Sequence, residues 1–108
     1  MARYLFEIEL APQAFAAFIK NPGDRGQANR AVIESVGGNL VEYYFAVGSS
    51  KVYLIAENLN EMSAQALIIA VLAGGVVACV KSVAILTSAE AVEAMKMAGG
   101  TGYRPPAS

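Results

Sequence analysis

Histidine is missing from the chain altogether, and with it go the commonest general base near neutral pH, the usual haem ligand and most transition-metal sites. Cysteine occurs once, as Cys79, so an intrachain disulfide, a Cys-x-x-Cys pair and a Cys–His dyad are excluded. A lone thiol fits a reducing compartment, and Cys79 is expected to act as a small buried hydrophobe. Charge is scarce as well. Charged residues make up 16% of the 108, against about 25% in an average soluble domain, and 8 basic residues nearly balance 9 acidic ones. Arg3, Lys20, Arg25, Arg30, Lys51, Lys81, Lys96 and Arg104 are scattered, which argues against the concentrated positive field that nucleic acid requires. Phosphate loops are lacking too: Gly37-Gly38, Gly74-Gly75 and Gly99-Gly100 follow helical segments rather than open them and read as C-caps. Neither a metal nor a cofactor is expected.

The longest apolar run, Ala66 to Val80, falls short of the ~20 residues a membrane span needs and is broken by Gly74-Gly75. It reads as a buried helix feeding a buried strand. Met-Ala-Arg-Tyr leads directly into a strand pattern without the charged and apolar regions of an export signal, so a cytoplasmic location with no membrane partner is expected.

What the chain has in quantity is apolar side chains, 56% of the total. So few charges cannot cover a monomer of this size, and some apolar surface is expected to be buried against another copy, in a homodimer or higher homo-oligomer. At this length one domain with one core is expected over residues 1–100, followed by a tail at 101–108 packed on the domain or on a partner subunit. Tyr103 would anchor that tail and Pro105-Pro106 stiffen it.

Tyr4, Phe6, Ile8 and Leu10 alternate with Arg3, Leu5, Glu7 and Glu9, the period of a half-buried strand. Pro12 suits a first helical turn, with Phe15, Phe18 and Ile19 at helical spacing as far as Asn21-Pro22-Gly23. Asp24 caps a second helical piece, whose expected inner face is Ala28, Ala31, Val32, Ser35 and Val36. Leu40 to Val47 and Lys51 to Glu57 form a hairpin around Gly48-Ser49-Ser50. Asn60 caps a helix through Met62, Leu67, Ile68, Val71 and Leu72 that is apolar on nearly every side and is expected to pack on both the sheet and a neighbour. Val76 to Leu86 is the last strand, and Thr87 with Glu90 forms a capping box opening a final helix.

This order, βαββαβ plus a C-terminal helix, predicts an α+β ferredoxin-like fold: a four-stranded antiparallel sheet, order 4-1-3-2, with helices on one face. A charge must not point into the helix-packed core, so Glu7, Glu9, Glu42, Lys51, Glu57 and Lys81 set the register of their strands. The open face is then expected to carry Leu5, Glu7 and Glu9; Leu40, Glu42, Tyr44 and Ala46; Tyr53 and Ile55; and Cys79, Lys81 and Val83.

From Phe18 to Met97 the chain resembles a GYD-domain protein, from a bacterial family of small proteins of unknown function. The resemblance rests on Lys20-Asn21-Pro22, Val32-Ile33-Glu34, Gly37-Gly38-Asn39, Gly48, Val52 to Glu57, Ala73-Gly74-Gly75 and Glu90 to Lys96, and on the ending Gly102-Tyr103-Arg104-Pro105-Pro106. It departs from the family at the hairpin, where Gly48 keeps the glycine but Ser50 and Lys51 stand in the places of the tyrosine and the acid. The resemblance implies a dimeric α/β barrel, in which two open sheets face each other around an internal cavity.

Glu7, Lys81 and Tyr53 are the candidate catalytic residues, and Glu42, Tyr44, Ile55 and Cys79 the candidate ligand contacts. Two uses are expected of such a face. One is a structural or small-molecule-binding module, its ligand apolar or aromatic. The other is a cofactor-free barrel enzyme of monooxygenase, isomerase or decarboxylase type, with Glu7 as a base of raised pKa and Lys81 or a tyrosine stabilising an oxyanion. The plainest alternative for Glu7 is a satisfied ion pair with Lys81 across two strands inside an interface.

Overall fold

A computed structural model describes residues 2–107. The elements run β1 (Ala2–Leu10), α1 (Pro12–Lys20), α2 (Arg25–Glu34), β2 (Asn39–Phe45), β3 (Lys51–Leu59), α3 (Glu61–Ala73), β4 (Val77–Ile85) and α4 (Ser88–Gly99). The strands form one antiparallel sheet in the order β2-β3-β1-β4, the expected ferredoxin-like order read from its other edge.

Alternation divides the two faces. Tyr4, Phe6, Ile8 and Leu10 of β1 and Val52, Leu54 and Ala56 of β3 are buried under the helices, where they meet Ala14, Ile33, Ala64 and Leu67. Burying each of the larger side chains stabilises the fold by about 1.5–3 kcal/mol, and the charges at the alternate positions are thereby kept on the other face. Pro12 opens α1, Asp24 Oδ1 accepts from the Gln27 N–H at 3.1 Å, and Asn60 with Ser63 and Thr87 with Glu90 form reciprocal caps for α3 and α4. Gly48 turns the hairpin at φ 79°, a left-handed conformation that favours glycine.

Strict alternation fails at one place that matters for the face. Leu40 pairs with Ala56 and Glu42 with Ile55, so β2 carries one extra residue, Val41, and reverses its sides there. Leu40 is therefore buried in the core and does not lie on the open face, whereas Glu42 and Tyr44 do. A second shift, between β1 and β3, coincides with Asn58, a non-glycine residue at φ 62° whose amide donates to Gly37 O at 2.9 Å.

Other expectations change as well. The inner side of α2 is Gly26, Asn29 and Ile33; of the expected set Ala28, Ala31, Val32 and Ser35 are exposed, and only Val36, just past the helix, packs against the core. Gly26 allows that rotation by leaving room for Tyr43, whose Cβ would lie 3.4 Å from any Cβ placed there. Ile19 is exposed, because α1 rests on Ala14, Phe15 and Phe18, with Phe18 edge-on to Phe15 and Phe45. The run Ala66 to Val80 is not buried throughout: α3 buries Leu67 but exposes Ile69 and Leu72, Val76 is exposed beyond it, and β4 lies at the edge of the sheet. Cys79, on that edge, is exposed rather than buried. Among the described residues no helix is long and apolar enough to cross a membrane.

Helix α4 leaves the body. No residue of it is buried, and among the described residues its side-chain bonding to the rest of the chain reduces to Arg3 Nη1–Glu90 Oε1 at 3.6 Å. The radius of gyration is 17.6 Å with a longest extent of 60 Å, against about 13 Å for a compact chain of 100 residues. Residues 101–107 of the tail are exposed, so its own domain does not cover it; Ser108 lies outside the described residues.

Gly38 marks the tightest backbone approach: a Cβ there would come 2.7 Å from Leu59 Cδ2 and 2.9 Å from Ile33 Cγ2, both in buried side chains. Gly38→Ala is expected to lower stability by about 1–3 kcal/mol. Gly23→Ala, with nothing within 4 Å of the new methyl, should stay within about 0.5 kcal/mol of the parent. Paired urea melts check both.

Candidate functional site

The open face is built by side chains that alternate away from the core. Arg3, Leu5, Glu7 and Glu9 of β1 stand between Lys51, Tyr53, Ile55 and Glu57 of β3 and Cys79, Lys81, Val83 and Ile85 of β4, and β2 adds Glu42 and Tyr44. Glu7 faces Tyr53 on one side and Lys81 on the other, as the register predicts. Ile55 sits opposite Leu5 and beside Glu42, and Tyr44 lies opposite Tyr53.

The polar groups here are fixed by one another. The Tyr53 hydroxyl donates to Glu7 Oε1 at 2.9 Å, and Lys51 Nζ lies 3.6 Å from Glu7 Oε2. Ser50 Oγ donates to Glu9 Oε2 at 2.7 Å, and the Tyr44 hydroxyl to Glu42 Oε2 at 3.0 Å. The ion pair expected between Glu7 and Lys81 does not form. Lys81 is Glu7's cross-strand neighbour, yet among the described residues the ammonium that reaches the carboxylate comes from Lys51, one position along the diagonal. At the far end of the face Arg3 Nη2 and Asn39 Nδ2 both donate to Glu57, at 2.9 and 3.1 Å.

These bonds shift protonation in a consistent direction. The Tyr53 hydroxyl, with help from the Lys51 and Lys81 charges, holds the Glu7 carboxyl below its usual range. The same bond pushes the Tyr53 phenol up, and the bond to Glu42 pushes up Tyr44. Glu57 is lowered by Asn39 and then by Arg3. Glu7 is thus an anchored anion, and the raised pKa expected of a catalytic base is not what this environment gives it.

Glu7, Glu9, Lys51, Cys79 and Lys81 line a depression of about 90 Å³. That is small beside the ~300–1,000 Å³ of sites that enclose an organic ligand. Between the charged ends of the face, Leu5, Ile55 and Val83 form an apolar band, with Val83 53% exposed. Among the described residues no three His, Cys, Asp or Glu side chains gather as metal ligands. Ser50, Lys51 and Glu9 were not among the sequence candidates. The signal that could have found Glu9 and Lys51 is alternation, which puts Glu9 on the same side of β1 as Glu7 and Lys51 on the same side of β3 as Tyr53.

A family model described as GYD domain matches residues 4–95. The chain belongs to the GYD domain family. It matches no curated protein and no solved structure. The match to the GYD domain begins within β1 and ends within α4, so β2, β3, β4 and all of the open face except Arg3 lie inside it.

Because the Tyr53 phenol is raised chiefly by its bond to Glu7, Glu7→Gln is expected to return it toward the ordinary value of 10.0, read as tyrosinate absorbance during alkaline titration. The carboxyls also fix the acid response. Glu7, Glu57 and Glu90 all titrate below 4.5 in the fold, so the stability they contribute is present above that value and is lost as pH falls through their lowered pKa values. Urea midpoints should be flat from neutral pH down to about 5 and decline below it, less steeply in Glu57→Gln.

Proposed function

We propose that this GYD domain works as a homo-oligomer in which the open sheet faces of two copies meet, either packing directly or holding a small molecule between them. The observation that carries the reading is the composition of the face: an apolar band of Leu5, Ile55 and Val83, bounded by carboxylates and phenols already held in fixed bonds, and uncovered in the single chain. Such a face is too apolar to be left to water and too polar for a helix to cover. A second copy answers both needs, since it brings the same mixture of groups to the contact.

A facing sheet turns the shallow depression around Glu7 into part of an enclosed space. The ligand class that fits has an apolar or aromatic body for Leu5 and Ile55 and a polar group able to meet Glu7, Tyr53 or Lys81. The protonation pattern favours binding over base catalysis, because a carboxylate already accepting from Tyr53 and facing Lys51 is a weak proton acceptor. A lone thiol suits a reducing, cytoplasmic setting.

Sedimentation equilibrium tests the assembly. The parent is expected to sediment as a multiple of its 11.3 kDa chain at micromolar concentration. Ile55→Asp and Leu5→Asp each bring an unpaired charge into the contact, and each should raise the dissociation constant at least ~100-fold, about 3 kcal/mol. A parent that is monomeric at this concentration, or variants that associate as it does, would overturn the reading.

A further inference from the structure

We infer that α4, with the tail as far as Tyr103, is an exchange arm that packs on a second copy of the chain. Helix α4 has an apolar side free of charge: Ala91, Val92, Ala94, Met95 and Ala98 project over less than half of its circumference, with Ser88 among them, and Glu90, Glu93 and Lys96 all lie on the opposite side beside Ala89 and Met97. Among the described residues of its own chain none buries Val92 or Met95 on that side, where only Ala91 is partly covered. Val92 is 44% and Met95 67% exposed, and Tyr103 just beyond is 75% exposed.

A helix of this length, about 18 Å, is marginal in water without tertiary contacts. Local bonds contribute only the Thr87–Glu90 capping box and a Glu93–Lys96 pair at 3.4 Å. Pairs of that kind are worth a few tenths of a kcal/mol, and cannot stand in for burial of Val92 and Met95.

The occupant follows from where the arm starts. Arg3 belongs to the open face, where its guanidinium holds Glu57, and the same guanidinium reaches Glu90 in the first turn of α4. The arm is therefore rooted at the end of the sheet where Arg3 and Glu57 lie, at the border of the open face. Whatever covers that face lies within the arm's reach, and on the proposal above it is a second copy. This inference rests on that reading and adds a distinct contact to it. Two-fold symmetry then makes the exchange reciprocal, each arm burying Val92, Met95 and Tyr103 on the other copy. It also accounts for an elongated chain, 60 Å in its longest dimension.

The test uses the full chain with a benzophenone amino acid in place of Met95, mixed as nitrogen-15-labelled and unlabelled protein, re-equilibrated and irradiated. Cross-linked peptides of mixed isotope are expected at about half of all cross-links, the statistical share for contacts between copies. Val92→Glu with Met95→Glu, measured in parallel by sedimentation equilibrium, should raise the dissociation constant at least tenfold while leaving the urea midpoint of the monomer unchanged. Cross-links confined to one isotope would show an arm folded back on its own chain and would overturn the inference, as would a double variant that associates like the parent. In either case an intact oligomer still broken by Ile55→Asp would leave the face-to-face reading standing. A monomeric parent would overturn both.

Discussion

A carboxylate cannot lie beneath a packed helix without a partner, and this restriction decides the shape of the whole molecule. Glu7 and Glu9 occupy alternate positions of β1, the strand that lies between β3 and β4, and Lys51 and Glu57 do the same on β3. Their placement forces all three packed helices onto the side of Phe6, Ile8, Val52 and Leu54, and leaves the other face of a four-stranded sheet without a layer. The apolar composition, the partly exposed band of Leu5, Ile55 and Val83 and the detached α4 are then connected. Each is surface that the single chain has no means to bury.

The bonds on the open face show how a sheet can keep charges there at low cost. Tyr53 donates to Glu7, Ser50 to Glu9, Tyr44 to Glu42, and Arg3 with Asn39 to Glu57, so every carboxylate of the face is met by a donor from the same chain. A face whose carboxylates are already bonded can approach another surface without stranding them, and among the described residues Lys81 is the charge left for that surface or a ligand to meet. The same bonds hold Glu7 ionised, which makes it a fixed acceptor for a ligand's donor group.

Much of this was legible in the sequence, because period-2 alternation and capping residues are local signals. The strands, the caps at Asp24, Asn60 and Thr87, and the positions of Glu7, Tyr53, Lys81, Glu42, Tyr44, Ile55 and Cys79 on one face all follow from spacing and from where a charge may point. What spacing could not reveal is non-local. The extra residue Val41 moves Leu40 into the core, and a bulge leaves no mark in a run of β-forming residues. The rotation of α2 onto Ile33 depends on Tyr43 lying against Gly26, a contact between separate elements. Lys51 replaces Lys81 at Glu7 because cross-strand pairing constrains Cα positions only, whereas a lysine ammonium travels several ångströms on its stem. The detachment of α4 has no local signature, since its cap and its stripe would look the same on a helix packed against its own sheet.

Cys79 offers the most direct test that the open face is covered in solution. It is the chain's one thiol, lies on that face opposite Glu9, and is exposed in the single chain. Its rate of reaction with a charged aromatic disulfide reagent, followed over a range of protein concentrations, reports coverage of the face. The account predicts slow modification at high concentration, rising toward the rate of an unhindered thiol on dilution. Modification at the unhindered rate at every concentration would contradict it.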